Sequence, residues 1–320
     1  MARIVIPSLT PHYVSSTPRS ISISWPFDKS GHCVSSLLSA VKYHLHTAVL
    51  FTWTDYKTIF LPITAFACAT GPVHSISNLV QCWIWMWLHL LLCNVSNQAR
   101  SREEDAVNRP WRPLPAGRIT ESQAVGLRWA IVALCICWSL LYDQDLVLTT
   151  LGLVATTFLY DELGVASHIV GKNFCNIGGY TSFEVGATRV ISATPSMDFV
   201  SITAVILSGL LIFTTIQAQD FPDVDGDKAL GRMTFPIYAP EFSRTFTLLA
   251  TVAWSIFLSW YWAIGPITTA FFVGLGTYVG SRYYLLRTLD VDKRSYLIFN
   301  IWLMLAHILP LHARTSLLAL

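Results

Sequence analysis

The chain has 320 residues, 53% of them hydrophobic and only 12% charged, with a formal net charge of +2, whereas an average soluble domain carries roughly a quarter charged residues. That deficit argues against a soluble enzyme and for a membrane, because several apolar runs approach the roughly 20 residues needed to cross a bilayer. The small net charge, with no basic stripe interleaved with aromatics outside one loop, excludes a nucleic-acid partner, and seven cysteines without paired spacing read as small buried hydrophobes rather than a zinc or redox site.

Residues 1–42 are rich in Ser and Pro, carry Arg3 and Arg19, and hold no acid before Asp28. No amphipathic helix striped with Arg is visible, so a disordered cytosolic tail is expected there rather than a transit peptide. Residues 43–320 then form a single transmembrane catalytic domain. Apolar spans are expected near 50–70, 76–93, 122–141, 147–160, 174–192, 199–217, 244–263, 266–286 and 295–313, nine in all. In the fifth, Gly178, Gly179, Gly186 and Glu184 lower the hydropathy, which marks a helix facing protein rather than lipid. Lys and Arg test this count. Arg100, Arg102, Arg109, Arg112 and Arg118 follow span two, Lys172 span four, Lys228 and Arg232 span six, and Arg287, Lys293 and Arg294 span eight. The loops after spans one, three, five and seven carry none, so the basic face and the N-terminus are predicted cytosolic. The Asn94-Val-Ser96 sequon then stays idle, since glycosylation belongs to the lumen.

Two of the cytosolic loops gather the acids: Glu103, Glu104 and Asp105 in one, Asp220, Asp223, Asp225 and Asp227 in the other. Carboxylates this close repel one another and are tolerated in water or beside a neutralising cation. Asn97, Ser101 and Asp105 recur every four residues, and Asp220, Asp223 and Asp227 step by three and four, so on helical extensions of their spans each set shares a face. Two opposed faces of this kind supply hard oxygen ligands for Mg²⁺, whose natural missing ligand is a diphosphate. The first loop continues through Arg109, Arg112 and Arg118, set among Pro110, Pro113 and Pro115. Prolines stiffen such a loop, and the guanidinium fork suits phosphate.

The segments NQARSREEDAVNRPWRPLPAGRIT (97–120) and QDFPDVDGDKALGRMTFP (219–236) resemble the two signature loops of the UbiA superfamily of intramembrane prenyltransferases. Asn97 and Asp105 match the outer positions of the family's first motif, and Asp220, Asp223 and Asp227 match its second. The resemblance implies an all-α membrane protein, a nine-transmembrane-helix bundle with cytosolic capping loops. It implies Mg²⁺ held by Asn97, Asp105, Asp220, Asp223 and Asp227, the catalytic set, and an isoprenyl diphosphate held by Arg109, Arg112, Lys172, Asn176 and Lys228. One departure stands out: Ser101 replaces the middle acid of the first motif. Glu103 and Glu104 do not fall on the same helical face to replace it.

In this reading, Mg²⁺ and the basic residues stabilise the leaving diphosphate. The allylic cation is shielded by aromatics, for which Trp83, Trp85, Trp87, Trp254, Trp260, Trp262, Phe271, Phe272 and Tyr278 are candidates. Losing a carboxylate that could help deprotonate a phenolic acceptor harms a transferase more than a cyclase, and the altered first motif looks more like the divergent fungal cyclases of the superfamily. The expected function is therefore a sesquiterpene cyclase acting on farnesyl diphosphate in an intracellular membrane, the endoplasmic reticulum being the expected one. The alternative is a prenyltransferase with an aromatic or other small-molecule acceptor. A transporter would cite Asp55, Lys57, Glu184 and Arg189 as a polar path; the clustering of acids at span ends argues against it.

Overall fold

The computed structural model describes residues 30–192, 196–229 and 231–320. The chain divides into an N-terminal unit, Met1–Tyr43, and a unit running from His44 to Leu320. The expected tail lies outside the described residues as far as position 29, and residues 30–43 are helical. The second unit carries everything that follows.

The regular elements among the described residues are all helices, with one isolated bridge, between Val73 and Ser192, in place of any strand. The helices begin where short polar side chains or prolines suit a first turn, whose N–H groups lack partners of their own. After α1 (Ser30–Thr52) and α2 (Leu61–Thr70), Ser75 accepts from the Asn78 N–H at the head of α3 (Ile76–Arg100). The short α4 (Arg102–Asn108) follows. Thr120 and Gln123 form a reciprocal box at the head of α5 (Glu121–Ser139), and Asp143 caps α6 (Gln144–Asp161). After α7 (Ile169–Ile191), Asp198 caps α8 (Phe199–Thr215). Beyond α9 (Val224–Ala229) and α10 (Phe235–Tyr238), prolines open α11 (Pro240–Tyr261) and α12 (Pro266–Leu285), where the missing N–H costs nothing. The chain closes with α13 (Leu289–Ile308) and α14 (Leu311–Thr315).

The expected spans two to eight each centre on one helix and the ninth runs from α13 into the short α14, but the first is broken. Over 50–70 the helix is interrupted after Thr52 by a 3₁₀ turn, Trp53–Asp55, and a π turn, Tyr56–Phe60, before α2 resumes. Five helical stretches among the described residues are long and apolar enough to cross a membrane: Ile76–Arg100, Glu121–Ser139, Phe199–Lys228, Pro240–Tyr261 and Leu289–Thr315.

Packing follows the sizes of the side chains. A Cβ on Gly186 would stand 2.0 Å from the Trp85 ring, so α3 and α7 approach only because that position is bare. Gly276 and Gly280 do the same for α12 against Thr251, Ser255 and Leu248 of α11, the small-residue contact that lets membrane helices close on each other. Large side chains such as Trp85, Phe66, Tyr283 and Trp302 fill the interior, while Phe174, Phe199, Leu249, Trp260 and Phe271 stand exposed outside. An apolar exterior around a core that contains buried polar groups is what a bilayer solvent requires. Among those groups, Glu184 accepts from Ser208 and lies 3.5 Å from His307; at the far end of α7 the half-buried Arg189 pairs with Asp143 and Asp145. Glu184 and Arg189, two of the four charges that a polar path would have used, are therefore ties between helices.

Candidate active site

The first loop keeps its helical ladder across a bend. Ser101 leaves helical geometry, yet its N–H donates to the Asn97 carbonyl at 3.1 Å, Asp105 to Ser101 at 2.9 Å and Arg109 to Asp105 at 2.7 Å. Asn97, Ser101 and Asp105 therefore stay stacked on one side, as their spacing predicts. The proline-rich segment then folds back in tight turns, Arg112 donating to the Arg109 carbonyl at 3.0 Å and Arg118 to that of Pro113 at 2.9 Å, around a buried Leu114. This return brings the Arg112 guanidinium to 2.6 Å from Asp105. The Ser101 hydroxyl, where the family has an acid, donates back to the Asn97 carbonyl and contacts Asp105 Oδ2 at 3.4 Å.

The second loop is not the continuous helix its spacing predicts. It runs as two 3₁₀ turns, Ile216–Gln219 and Phe221–Asp223, ahead of α9. In a 3₁₀ turn residues three apart eclipse, so Asp220 and Asp223 still lie one above the other, joined by an N–H to carbonyl bond of 3.1 Å. Phe221 anchors the loop, its ring lying between the Arg244 guanidinium at 4.6 Å and the Tyr283 ring at 5.0 Å. Tyr283 also donates to the Ala218 carbonyl at 3.0 Å.

From the first turn of α7, the Lys172 ammonium reaches Asp220 at 2.7 Å and Asp227 at 3.7 Å, and Arg232 lies 3.5 Å from Asp227. Beside the first loop, Glu162 at the end of α6 pairs with both Arg100 and Arg128. Those two guanidiniums hold its carboxyl below the usual carboxylate range.

The two loops and Lys172 wall one cavity of about 520 Å³. Asn97, Asp105, Asp220, Asp223, Asp227, Arg109, Arg112, Lys172 and Asn176 all line it. Lys228, expected among the phosphate contacts, does not: it is exposed on α9 and away from the cavity wall. Glu103 is likewise exposed and off the wall, and the Glu104 side chain lies outside the described ones. The cavity's further cations are Lys57, Arg232 and Lys293. In the sequence, Arg232 and Lys293 carried only the signature of a cytosolic loop. Gln219 and Tyr296 carried none, although Lys293 and Tyr296 are three apart and so share a face of α13.

A second cavity of about 330 Å³ adjoins the first and shares Asp55, Asn97, Arg109, Arg112, Tyr160, Asn176 and Gln219 with it. It continues between Ile59, Leu90, Leu153 and Phe183. The aromatic faces here are Tyr160, Tyr180 and Phe183, with Tyr296 across the first cavity. None of the nine aromatics expected to shield a cation lines either space. Trp85 and Phe272 are core, and Trp260 and Phe271 are exposed outside.

Among the described residues, no three His, Cys, Asp or Glu side chains already stand close enough to hold a metal ion, because Asp105, Asp220 and Asp227 each face a cation of the protein. The donor set nonetheless fits Mg²⁺ with an anion. Asp227 Oδ2 is buried without a hydrogen-bond partner, and the Asn176 amide nitrogen and Arg112 Nε are buried donors without acceptors. Hard carboxylate oxygens facing unfilled donors suit a divalent cation that keeps substrate phosphate in its shell.

Comparison with known proteins places this geometry. The fumagillin beta-trans-bergamotene synthase of Aspergillus fumigatus is 29% identical over 271 residues, covering 84% of this chain and 93% of that one. The diterpene cyclase eriG of Hericium erinaceus is 28% identical over 228 residues, 68% and 73% of the two chains. A UbiA homolog from Archaeoglobus fulgidus, solved bound to GPP and Mg²⁺, shares the fold with a TM-score of 0.62 over 85% of this chain and 100% of its own, at 15% identity. The UbiA prenyltransferase family matches over residues 59–304, a stretch that holds both acid-bearing loops, Lys172 and most of the second cavity. The chain belongs to that family, an integral-membrane enzyme of the terpene cyclase or prenyltransferase kind.

Proposed function

We propose that this protein is a Mg²⁺-dependent enzyme that ionises farnesyl diphosphate and closes the prenyl chain to a sesquiterpene hydrocarbon. The observation that carries the reading is the junction of the two cavities, a polar one walled by acids and cations opening straight into an apolar one. Volumes of about 520 and 330 Å³ lie in the range of pockets that enclose small-molecule ligands. Asn97, Asp105, Asp220, Asp223 and Asp227 would hold Mg²⁺, which neutralises charge on the diphosphate oxygens. Arg109, Lys172 and Asn176 donate to the same group, with Arg112 behind Asp105. These donors stabilise the charge gathering on the leaving group as the C–O bond breaks. Tyr160, Tyr180 and Phe183 then face the allylic cation and, with the aliphatic wall, keep water from it.

The same reading takes the chain across the bilayer nine times, α6, α7, α12 and the broken first span joining the five strongly apolar stretches. It sets the N-terminus and both loops on the cytosolic side of the endoplasmic reticulum membrane, on the segregation of Lys and Arg. Similarity to a beta-trans-bergamotene synthase and to a diterpene cyclase supports ring closure and leaves chain length to measurement.

The test is incubation of membranes containing the protein with farnesyl diphosphate and Mg²⁺ alone, followed by analysis of volatile hydrocarbons. A cyclic product that EDTA abolishes and Mg²⁺ restores is expected. A product that forms only once an aromatic acceptor is supplied would replace this reading with prenyl transfer, the activity for which the family is named.

A further inference from the structure

We infer that Asp55 is the base that ends the reaction, taking the proton whose loss quenches the carbocation. This rests on the ionising function proposed above. Asp55 sits in an apolar run, where a charge is costly and is retained for a purpose. The backbone breaks to place it: the 3₁₀ turn ends on Asp55, at φ −101° and ψ 4°, and the π turn follows. The bridge region of backbone space and single π turns are both over-represented at functional sites. Of the acids around the polar cavity, Asp55 is the one that also lines the apolar cavity; Asp105, Asp220, Asp223 and Asp227 do not reach it. Asp161 lines the apolar side alone, and there its Oδ1 accepts from the Asn97 amide at 3.0 Å.

The bonding of the Asp55 carboxylate also sets it apart. It accepts from the hydroxyls of its own turn, Thr54 at 3.3 Å and Thr58 at 3.2 Å. Asp105, Asp220 and Asp227 are ion-paired, whereas Asp55 stands in no ion pair among the described residues. Its accepting capacity is therefore not taken up by a protein cation, and the neighbouring Thr54 hydroxyl lies 3.5 Å from Arg112 of the first loop. The missing acid at Ser101 is thus matched by one that enters from a different element, on the side where the prenyl chain would lie.

The chemistry balances without a further reactant. The C–O bond breaks with its electron pair going to the diphosphate oxygen, and the distal double bond supplies the pair for the new C–C bond. A carboxylate oxygen of Asp55 then takes a proton from the carbon beside the cationic centre. The C–H pair becomes the new C=C bond, and the neutral acid passes its proton to water at the polar mouth. The sum is hydrocarbon, diphosphate and one proton.

The test compares Asp55→Asn and Asp55→Glu with the full-length protein in detergent, given farnesyl diphosphate and Mg²⁺, scoring released diphosphate and hydrocarbon separately. Asp55→Asn should still release diphosphate but form about 100-fold less hydrocarbon per diphosphate, with prenyl alcohol or a different olefin in its place. Asp55→Glu should recover much of the original ratio. The thermal shift given by pyrophosphate with Mg²⁺ should be unchanged in both, which shows the site intact. An unaltered hydrocarbon-to-diphosphate ratio in Asp55→Asn overturns the assignment, as does loss of diphosphate release with the thermal shift retained. Should hydrocarbon never form yet diphosphate be released with an aromatic acceptor present, the cyclase reading falls. The ratio of prenylated acceptor to diphosphate in Asp55→Asn then decides the role of Asp55 on its own.

Discussion

Lys172 holds two acids of the second loop at once, in surroundings where its own side chain is 10% exposed and those of Asp220 and Asp227 are 3% and 4% exposed. Replacing it by Met would leave two buried carboxylates without their cation, and breaking a buried pair from one side costs about 3–5 kcal/mol. Lys172→Met should therefore lower the melting temperature of the ligand-free protein and reduce diphosphate release by a factor of about 100 or more. An unchanged melting curve would show that the pair does not form. Lys228 and Lys293 provide the opposite comparison, the first expected at the diphosphate yet away from the cavity wall, the second legible only as a basic loop residue yet on it. Lys228→Ala should leave kcat/KM within about twofold, as surface changes commonly do, whereas Lys293→Ala, at the cavity wall, should lower it. Kinetics with farnesyl diphosphate separate the two. The acids could be read from the chain because motif and spacing are local. Arg109, Arg112 and Lys172 were expected near the diphosphate, but the pairing of Lys172 with Asp220 and Asp227 and the places of Arg232 and Lys293 could not be read, because they arise from tertiary packing.

At the level of the element, the heads of α3, α5, α6 and α8 lie close to the starts that hydropathy predicts, where Ser75, Thr120, Asp143 and Asp198 close a first turn. The break at residues 53–60 was not legible, because hydropathy, although lowered there by Thr54, Asp55, Lys57 and Thr58, does not distinguish α from 3₁₀ or π turns. Asp198, at the head of α8, also pairs with Arg314 of α14 at 2.8 Å, and that guanidinium holds its carboxyl down to about 2. Between pH 4 and 2, roughly from the ordinary carboxylate value to the lowered one, the unfolded chain binds the proton that the folded chain refuses. The stability contributed by this pair is thus present above about pH 4 and fades as pH falls through that interval. Asp198→Asn keeps the cap and removes the charge. Its melting temperature should sit below that of the parent near neutral pH and converge with it towards pH 2; a constant gap would assign the effect to something other than the carboxylate. Gly186→Ala tests the α3 and α7 approach, because the added methyl would meet Trp85. A loss of about 1–3 kcal/mol is expected from overpacking of this kind, read as a lowered melting temperature in detergent.

Across the whole molecule, the order and positions of the helices after residue 76 could be read from hydropathy. The number that satisfies strict length and apolarity is smaller, because α6, α7 and α12 carry glycines, hydroxyls and charges that pack against other helices. The walls of the cavities draw on residues as far apart as Thr54 and Tyr296, and the aromatic lining came from α6, α7 and α13 instead of the tryptophan-rich helices, whose rings face core and lipid. Hydropathy registers how apolar a ring is and not which way its helix is turned. The salt links Arg112 to Asp105 and Lys172 to Asp220 give the resting protein a further property: each loop carries its own counter-ion. A divalent ion arriving alone would part the ammonium or the guanidinium from its buried carboxylate, and pyrophosphate arriving alone would meet Asp105, Asp220, Asp223 and Asp227 with no divalent charge between them. Only together does each relieve the other's penalty, so the mouth behaves as a lock that needs two keys. Titration calorimetry should register little heat from Mg²⁺ or pyrophosphate singly and strong uptake of the second once the first is present.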